Sequence, residues 1–278
     1  MHLPEAWVEQ AEKITAEPGI VLVIGRSNAG KSTLIRFLTE AASQRGLGAW
    51  VIDADLGQAS FGPPTCMSLT VWPGKGPPVL RFIGSTSPAG RLPQVIVGIK
   101  LLVDRAVVQG ARLVLADTSG MVQGHQGILL KQCKVELIRP RYLLVLQKGT
   151  ELERLLKTLP SLAGMEIVRL PVSEQMRVRP APERSLYRQR QFAAHFQSAE
   201  LRSVSRPWSE VGLSGPEPAP GRLVGLLNCA GETLGLGVVR RCFSGGLELF
   251  TPVSKTEQIR FLQVSTVHFG EGWTELPS

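Results

Sequence analysis

The chain has 278 residues, of which 43% are hydrophobic, so it can bury a full core and is long enough for one large and one small domain. Its 31 Lys and Arg against 23 Asp and Glu leave a net charge of +8, which suits a polyanionic partner. The four cysteines form no close pair, the four histidines have no metal-site spacing, and no apolar run has membrane length. We therefore expect a reduced, cytoplasmic protein that does not associate with a membrane.

A glycine-rich loop connects the first predicted strand, Ile20–Ile24, to the first predicted helix, Ser32–Arg45. The loop and the start of the helix match the Walker A pattern G-x-x-x-x-G-K-S. In this context backbone N–H groups can turn toward a triphosphate, Lys31 can reach the β and γ phosphates, and Ser32 can ligate Mg²⁺. The pattern predicts a site for ATP or GTP with Mg²⁺, formed by Gly25, Ser27, Asn28, Ala29, Gly30, Lys31, Ser32 and Thr33.

An acidic motif follows the second predicted strand, Ala49–Ile52. Asp53 and Asp55 would lie at the carboxyl end of a strand in an open α/β sheet, which is the end that faces the ligand. One carboxylate could hold Mg²⁺ through water while the other accepts a proton from an incoming hydroxyl. Which of the two is the base stays open, and two turn-capping aspartates are the alternative.

Further strands alternate with helices, which predicts a doubly wound, mostly parallel α/β sheet. The strand Leu113–Ala116 leads into Thr118, Ser119 and Gly120, small residues that can approach the transferring phosphoryl group. Capping of the next helix is the alternative for the two hydroxyls. The other strands are predicted at Val79–Ile83, Tyr142–Leu146 and Ile167–Leu170, and the other helices at Gln94–Gln109, Gln126–Ile138 and Glu151–Leu159.

The composition changes after the last of these strands. Arg177–Arg190 is rich in arginine, and a helix from Arg184 onward would place Arg184 and Arg188 on one face as a phosphate clamp on a mobile lid. A solvated basic helix or a nonspecific nucleic-acid stripe is the alternative. A Pro- and Gly-rich linker then precedes short predicted strands. We expect a kinase domain over 1–205, with its lid at about 177–200, and a small β-rich domain over 206–278.

Together these segments resemble the polynucleotide 5′-hydroxyl kinase family, whose eukaryotic relatives act in mRNA 3′-end processing, tRNA splicing and ribosomal RNA maturation. The resemblance spans almost the whole chain. The acidic motif and the arginine lid make it specific, since many unrelated NTPases share the phosphate loop. Within the family, the chain resembles a compact prokaryotic member. It implies metal and 5′-hydroxyl roles for Asp53 and Asp55, and matches Gln58, Thr118 and Gly120 to family positions. It matches Arg184 and Arg188 to the lid. Met121 stands where the family commonly has an aromatic residue.

Three functions are compatible with these residues. The first is Mg²⁺-dependent transfer of the γ phosphoryl of ATP or GTP to the 5′-hydroxyl end of RNA or DNA, with Lys31, Asp53, Asp55, Arg184 and Arg188 as catalytic residues. The second is a regulatory or assembly NTPase that switches a protein partner. The third is a nucleic-acid-binding module with a vestigial nucleotide site. The intact catalytic set favours the first, and the sequence identifies no protein partner.

Overall fold

The computed structural model describes residues 4–74, 76–173, 179–204, 212–243 and 245–276. Arg177, at the start of the predicted lid, and the predicted domain boundary at 205–206 lie outside these ranges. The chain divides into two compact units. The first comprises the described residues of Met1–Asp55, Ser68–Pro78 and Pro88–Arg179, and the second those of Leu56–Met67, Val79–Ser87 and Pro180–Ser278.

The first unit alternates strands and helices. Its elements are α1 (Glu5–Ala16), β1 (Ile20–Gly25), α2 (Lys31–Gln44), β2 (Ala49–Ala54), β3 (Cys66–Trp72, from Ser68 onward), α3 (Leu92–Val108), β5 (Leu113–Thr118), α4 (Gly124–Ile138), β6 (Tyr142–Gln147), α5 (Glu153–Leu156) and β7 (Glu166–Pro171). The strand order is β3-β2-β5-β1-β6-β7. All neighbouring pairs from β2 to β7 are parallel, and β3 runs antiparallel to β2.

Packing in the first unit follows from this order. Every residue of β5 and β6 is buried, as expected for parallel strands that helices cover on both faces. Helix α1 packs on α2, and α3 packs on α4. Applied to this strand order, the rule that crossovers between parallel strands are right-handed assigns the two helix pairs to opposite faces of the sheet. The predicted doubly wound, mostly parallel α/β fold is therefore confirmed.

The second unit is mostly antiparallel. It contains β4 (Val79–Phe82), α6 (Ala181–His195), β8 (Glu200–Val204), β9 (Gly212–Ser214), β10 (Arg222–Leu227), β11 (Thr233–Phe243), β12 (Gly246–Thr251), β13 (Phe261–Phe269) and β14 (Glu275–Leu276). The strands β14, β13, β10, β11 and β4 are neighbours in that order, and β12 connects β11 to β8. Phe192 of α6 and Phe196, the residue that follows this helix, pack into an aromatic cluster with Phe269 and Trp273.

Two predicted elements need correction, and two observed elements were not predicted. The run Val79–Ile83 was assigned to the parallel sheet, but β4 belongs to the second unit, where Leu80 pairs antiparallel with Thr233. Helix α1 and strand β3 were not predicted. The helix expected over Glu151–Leu159 is reduced to Glu153–Leu156. A short apolar run predicts a strand but does not say which strand it pairs with.

Candidate active site

The phosphate loop, Arg26–Gly30, leaves β1 at the carboxyl edge of the sheet and enters α2. Asn28 and Gly30 have φ values of 61° and 93°, which turn successive backbone N–H groups in the manner of an anion-binding nest. The side chain of Lys31 is 6% exposed, and its Nζ donates a hydrogen bond to the Arg26 carbonyl at 2.9 Å. The Lys31 side chain therefore lies across the phosphate loop, bonded to the backbone at its start.

Asp117, the penultimate residue of β5, holds the hydroxyl of the loop. Ser32 Oγ donates to Asp117 Oδ2 at 2.6 Å, and the Thr118 N–H donates to Asp117 Oδ1 at 2.7 Å. Burial raises the pKa of this carboxyl, while Lys31 and Ser32 oppose the shift. Sequence reasoning did not assign Asp117 a role. The sequence does carry a signal for it, because the apolar strand that precedes Asp117 ends in this aspartate. That strand pairs with β1, which leads into the phosphate loop.

The acidic motif lies next to Asp117. Asp53 is the register partner of Asp117 in the parallel pair of β2 and β5, and it is 2% exposed. Its Oδ1 accepts the backbone N–H of Asp55 at 3.0 Å, so Asp53 does cap a turn as well as face the site. Asp55 is less buried than Asp53, and its charge acts on Asp117. The three aspartates therefore lie at the same edge of the sheet, and Asp117 is the one that contacts Ser32.

The Thr118–Gly120 turn closes on the phosphate loop. Thr118 Oγ1 donates to the carbonyl of Val23 in β1 at 2.8 Å. A Cβ on Gly120 would overlap with the backbone N and Oγ of Ser27, so only glycine fits there. Ser119 Oγ is buried and makes no hydrogen bond within the described residues. Helix α4 begins after Gln123 with no side-chain cap hydrogen bond, so the alternative in which Thr118 and Ser119 cap this helix is not seen among the described residues.

Two buried lysines of α4 lie behind this turn. Lys131 and Lys134 are each 0% exposed. Lys131 Nζ donates to Thr118 Oγ1 at 2.9 Å and to the Ser119 carbonyl at 2.8 Å. Burial lowers the pKa of both ammonium groups, that of Lys134 to about 8, and Asp55 and Asp117 counteract the shift. No sequence signal identified them, because lysines three apart on a helix are typical of a solvated face.

The predicted lid residues lie in the second unit. Arg184 and Arg188 are both on α6, which confirms the predicted helix, and it begins at Ala181. Arg188 Nε donates to Glu275 Oε1 at 2.5 Å, and each side chain is 19% exposed. Gln58, also in this unit, donates from Nε2 to the Gly57 carbonyl at 2.6 Å and more weakly to that of Arg184 at 3.4 Å. Gln58 and the lid helix are therefore neighbours.

Among the described residues, no group of three or more His, Cys, Asp and Glu side chains could hold a metal ion. The donors at the carboxyl edge are a hydroxyl and carboxylates, which are the oxygen ligands that Mg²⁺ takes together with substrate phosphates. None of the described helices is long and apolar enough to cross a membrane.

Comparison with known proteins places this site in context. The family model described as mRNA cleavage and polyadenylation factor CLP1 P-loop matches residues 25–198. A polyribonucleotide 5′-hydroxyl-kinase of Pyrococcus furiosus is 28% identical over 93% of this chain and 90% of its own length. Another from Thermococcus kodakarensis is 32% identical over 77% of this chain, but the match covers 61% of that relative.

Solved structures agree on the fold. Wild-type Clp1p in complex with Pcf11p superposes with a TM-score of 0.75 at 15% identity, over 94% of this chain and 77% of that one. A second Clp1p–Pcf11p structure gives a TM-score of 0.76 at 14% identity, over 96% and 80% of the two chains.

Proposed function

The chain belongs to the mRNA cleavage and polyadenylation factor CLP1 P-loop family, and we propose that it is a polynucleotide 5′-hydroxyl kinase. It would transfer the γ phosphoryl of ATP or GTP to the 5′-hydroxyl end of RNA or DNA. RNA is the first acceptor to test, since the two archaeal relatives are named for polyribonucleotide. The four free cysteines suit the cytoplasmic location that we include in the proposal.

The observation that supports the proposal is the position of three aspartates at one edge of the sheet, where Asp117 accepts a hydrogen bond from Ser32 and lies beside Asp53 and Asp55. A hydrolytic switch needs a metal-holding carboxylate and a positioned water, whereas a kinase also needs a group that accepts the proton of its acceptor hydroxyl. Asp117 is tied to Ser32, and Asp53 is almost fully buried with one oxygen on a backbone amide. We assign Asp55, the most exposed of the three, as the proton acceptor.

The metal requirement fits the residues present. Because the Ser32 hydroxyl donates its hydrogen bond to Asp117, the lone pairs of its oxygen remain available to a cation. Ser32 and Asp53, with Asp117 behind the serine, would hold Mg²⁺ together with the phosphate oxygens, partly through water. When bound, Mg²⁺ would neutralise charge on the β and γ phosphates.

The remaining residues bind and orient the substrates. Lys31 would exchange the Arg26 carbonyl for a phosphate oxygen, and the N–H groups of the phosphate loop would hold the β phosphate. Ser119 would lie next to the acceptor end, in the turn that packs on the phosphate loop. Arg184 and Arg188 would meet the charge that develops on the phosphoryl group as a lid, with Gln58 beside them.

A comparison of three acceptors tests the proposal. Labelled ATP is incubated with a 5′-hydroxyl oligonucleotide, its 5′-phosphorylated twin and a nucleoside 3′-phosphate. We expect fast transfer to the first, none to the second and slow transfer to the third, because the small acceptor lacks remote backbone contacts. Equal rates on the oligonucleotide and the nucleoside 3′-phosphate would indicate a small-molecule kinase. Hydrolysis without transfer would indicate the switch NTPase.

A further inference from the structure

Lys131 and Lys134 are hard to explain as core residues. Both side chains are 0% exposed, and removing an ammonium group from water costs several kcal/mol. Apolar residues of similar volume at buried charged positions are often neutral or stabilising. Packing alone therefore gives no reason for two lysines at these positions of α4.

The two lysines differ in their contacts. Lys134 Nζ has no hydrogen-bond partner within the described residues. Lys131 Nζ donates to both Thr118 Oγ1 and the Ser119 carbonyl. Two polar groups of one turn thus depend on a single ammonium group in an interior where water cannot replace it.

The turn that Lys131 holds contacts both β1 and the phosphate loop that follows it. The Thr118 hydroxyl donates a hydrogen bond to the carbonyl of Val23 in β1, three positions before the loop begins at Arg26. Gly120 lies against Ser27 with no room for a Cβ. A shift of the turn would therefore move the surface that faces Ser27 and the groups that we assign to the acceptor.

We propose that Lys131 is a positioning residue for phosphoryl transfer, which acts by fixing the Thr118–Gly120 turn against the phosphate loop. The inference rests on the proposed function for its catalytic consequence. It acts through Thr118 and Ser119, because Lys131 itself is fully enclosed by protein. Misplacement of a substrate-facing group by about 1 Å costs on the order of 10²-fold in rate.

The test compares Lys131→Met with Lys134→Met. Both remove one fully buried positive charge from α4 and keep a long side chain, but only the first removes hydrogen bonds to the turn. We expect K131M to lower kcat by about 10²-fold with nucleotide affinity changed less than about 3-fold, and K134M to lower kcat by less than about 10-fold. Equal losses in the two variants would overturn the proposal in favour of a charge effect.

A double-mutant cycle shows whether Lys131 works through Thr118. Thr118→Val keeps the shape of the side chain and removes the shared hydroxyl, so it also serves if K131M does not fold. If both act on one bonded unit, the double variant should be no more than about 2-fold slower than the slower single variant. Losses that multiply would contradict the proposal.

Hydrogen exchange separates this inference from the proposed function. The amides of residues 118–121 should exchange faster in K131M than in the wild type, and at wild-type rates in K134M. Unchanged exchange in K131M would overturn the positioning role. A wild-type protein that transfers nothing to an oligonucleotide would sink the proposed function, while the exchange data would still report on the turn.

Discussion

The carboxyl edge of the first unit and the lid helix of the second unit hold their functional side chains differently. At the edge, Lys31 and Asp117 are buried and Ser32 is half-buried, and hydrogen bonds join these side chains to one another or to backbone. On α6, Arg188 is half-buried and is held through one nitrogen, Nε, by Glu275. The described contacts therefore hold Lys31, Ser32 and Asp117 at their terminal atoms, whereas the ion pair with Glu275 holds Arg188 at Nε.

This contrast orders the expected effects of mutation. A preorganised group loses its contribution completely when it is removed, because nothing nearby replaces it. A group on a lid contributes when the lid meets the reacting phosphoryl group, so its loss should affect turnover more than binding of the nucleotide.

The largest effect should follow Lys31→Ala. Lys31 is the cation that we expect to reach the β and γ phosphates, so turnover should fall by about 10³-fold or more with the fold intact. Initial rates and circular dichroism of the same preparation check this. A folded variant with near-wild-type turnover would contradict the assignment of the loop.

Asp53→Asn and Asp55→Asn should both lower turnover by about 10²-fold or more, but in different ways. Because Asp53 is placed with the metal, its variant should need a higher Mg²⁺ concentration for half-maximal rate. Asp55→Asn should keep the wild-type requirement, since it loses a proton acceptor. Rates measured across a Mg²⁺ titration distinguish the two roles. If only Asp55→Asn needed a higher Mg²⁺ concentration, Asp55 would be the metal-holding residue and Asp53 the proton acceptor.

The lid arginines sharpen the comparison with the edge. Arg184→Ala and Arg188→Ala should each lower turnover by about 10²-fold while nucleotide affinity changes little. Arg188→Ala should also lower the free energy of unfolding by about 1–3 kcal/mol, because Glu275 loses its partner in a half-buried site. Glu275→Gln is the matched control for that second effect. Weakened oligonucleotide binding with unchanged turnover at saturation would make α6 a plain polyanion-binding helix.

The sequence predicts features that a short stretch of residues encodes, and it does not predict contacts between residues far apart in the chain. The phosphate loop, the acidic motif and the helix carrying Arg184 are local patterns, and the structure has them in the expected elements. The pairing of Ser32 with Asp117 joins residues 85 positions apart, and only the strand order brings them together. The sequence therefore located the edge of the site but not its internal hydrogen bonds.

Burial was the other feature that the sequence did not show. Lysines at the spacing of Lys131 and Lys134 are typical of a solvated helix face. In α4 both are buried, and the carboxylates of Asp55 and Asp117 act on them. The assignment of Val79–Ile83 to the parallel sheet failed for a related reason. Neither periodicity nor residue type tells which surface a short segment packs against.

The smallest effect concerns the pH dependence of stability. Burial lowers the pKa of Lys134 to about 8, below its ordinary value of 10.5, so the unfolded chain binds more protons than the folded chain between these pH values. The free energy of unfolding should rise with pH across this window. Lys134→Met should be more stable than the wild type at pH 7, by roughly 1–3 kcal/mol, and lose that advantage toward pH 10.5. Denaturant midpoints at several pH values would show it, and a pH-independent difference would contradict the shift.

The most direct test of the central claim is the mass of an oligonucleotide before and after incubation with the protein, ATP and Mg²⁺. The proposed kinase adds one phosphoryl group to a 5′-hydroxyl oligonucleotide, at its 5′ end, and leaves the 5′-phosphorylated twin unchanged. The Lys31→Ala variant should add none. Consumption of ATP by the wild-type protein with the 5′-hydroxyl oligonucleotide unaltered would contradict the claim.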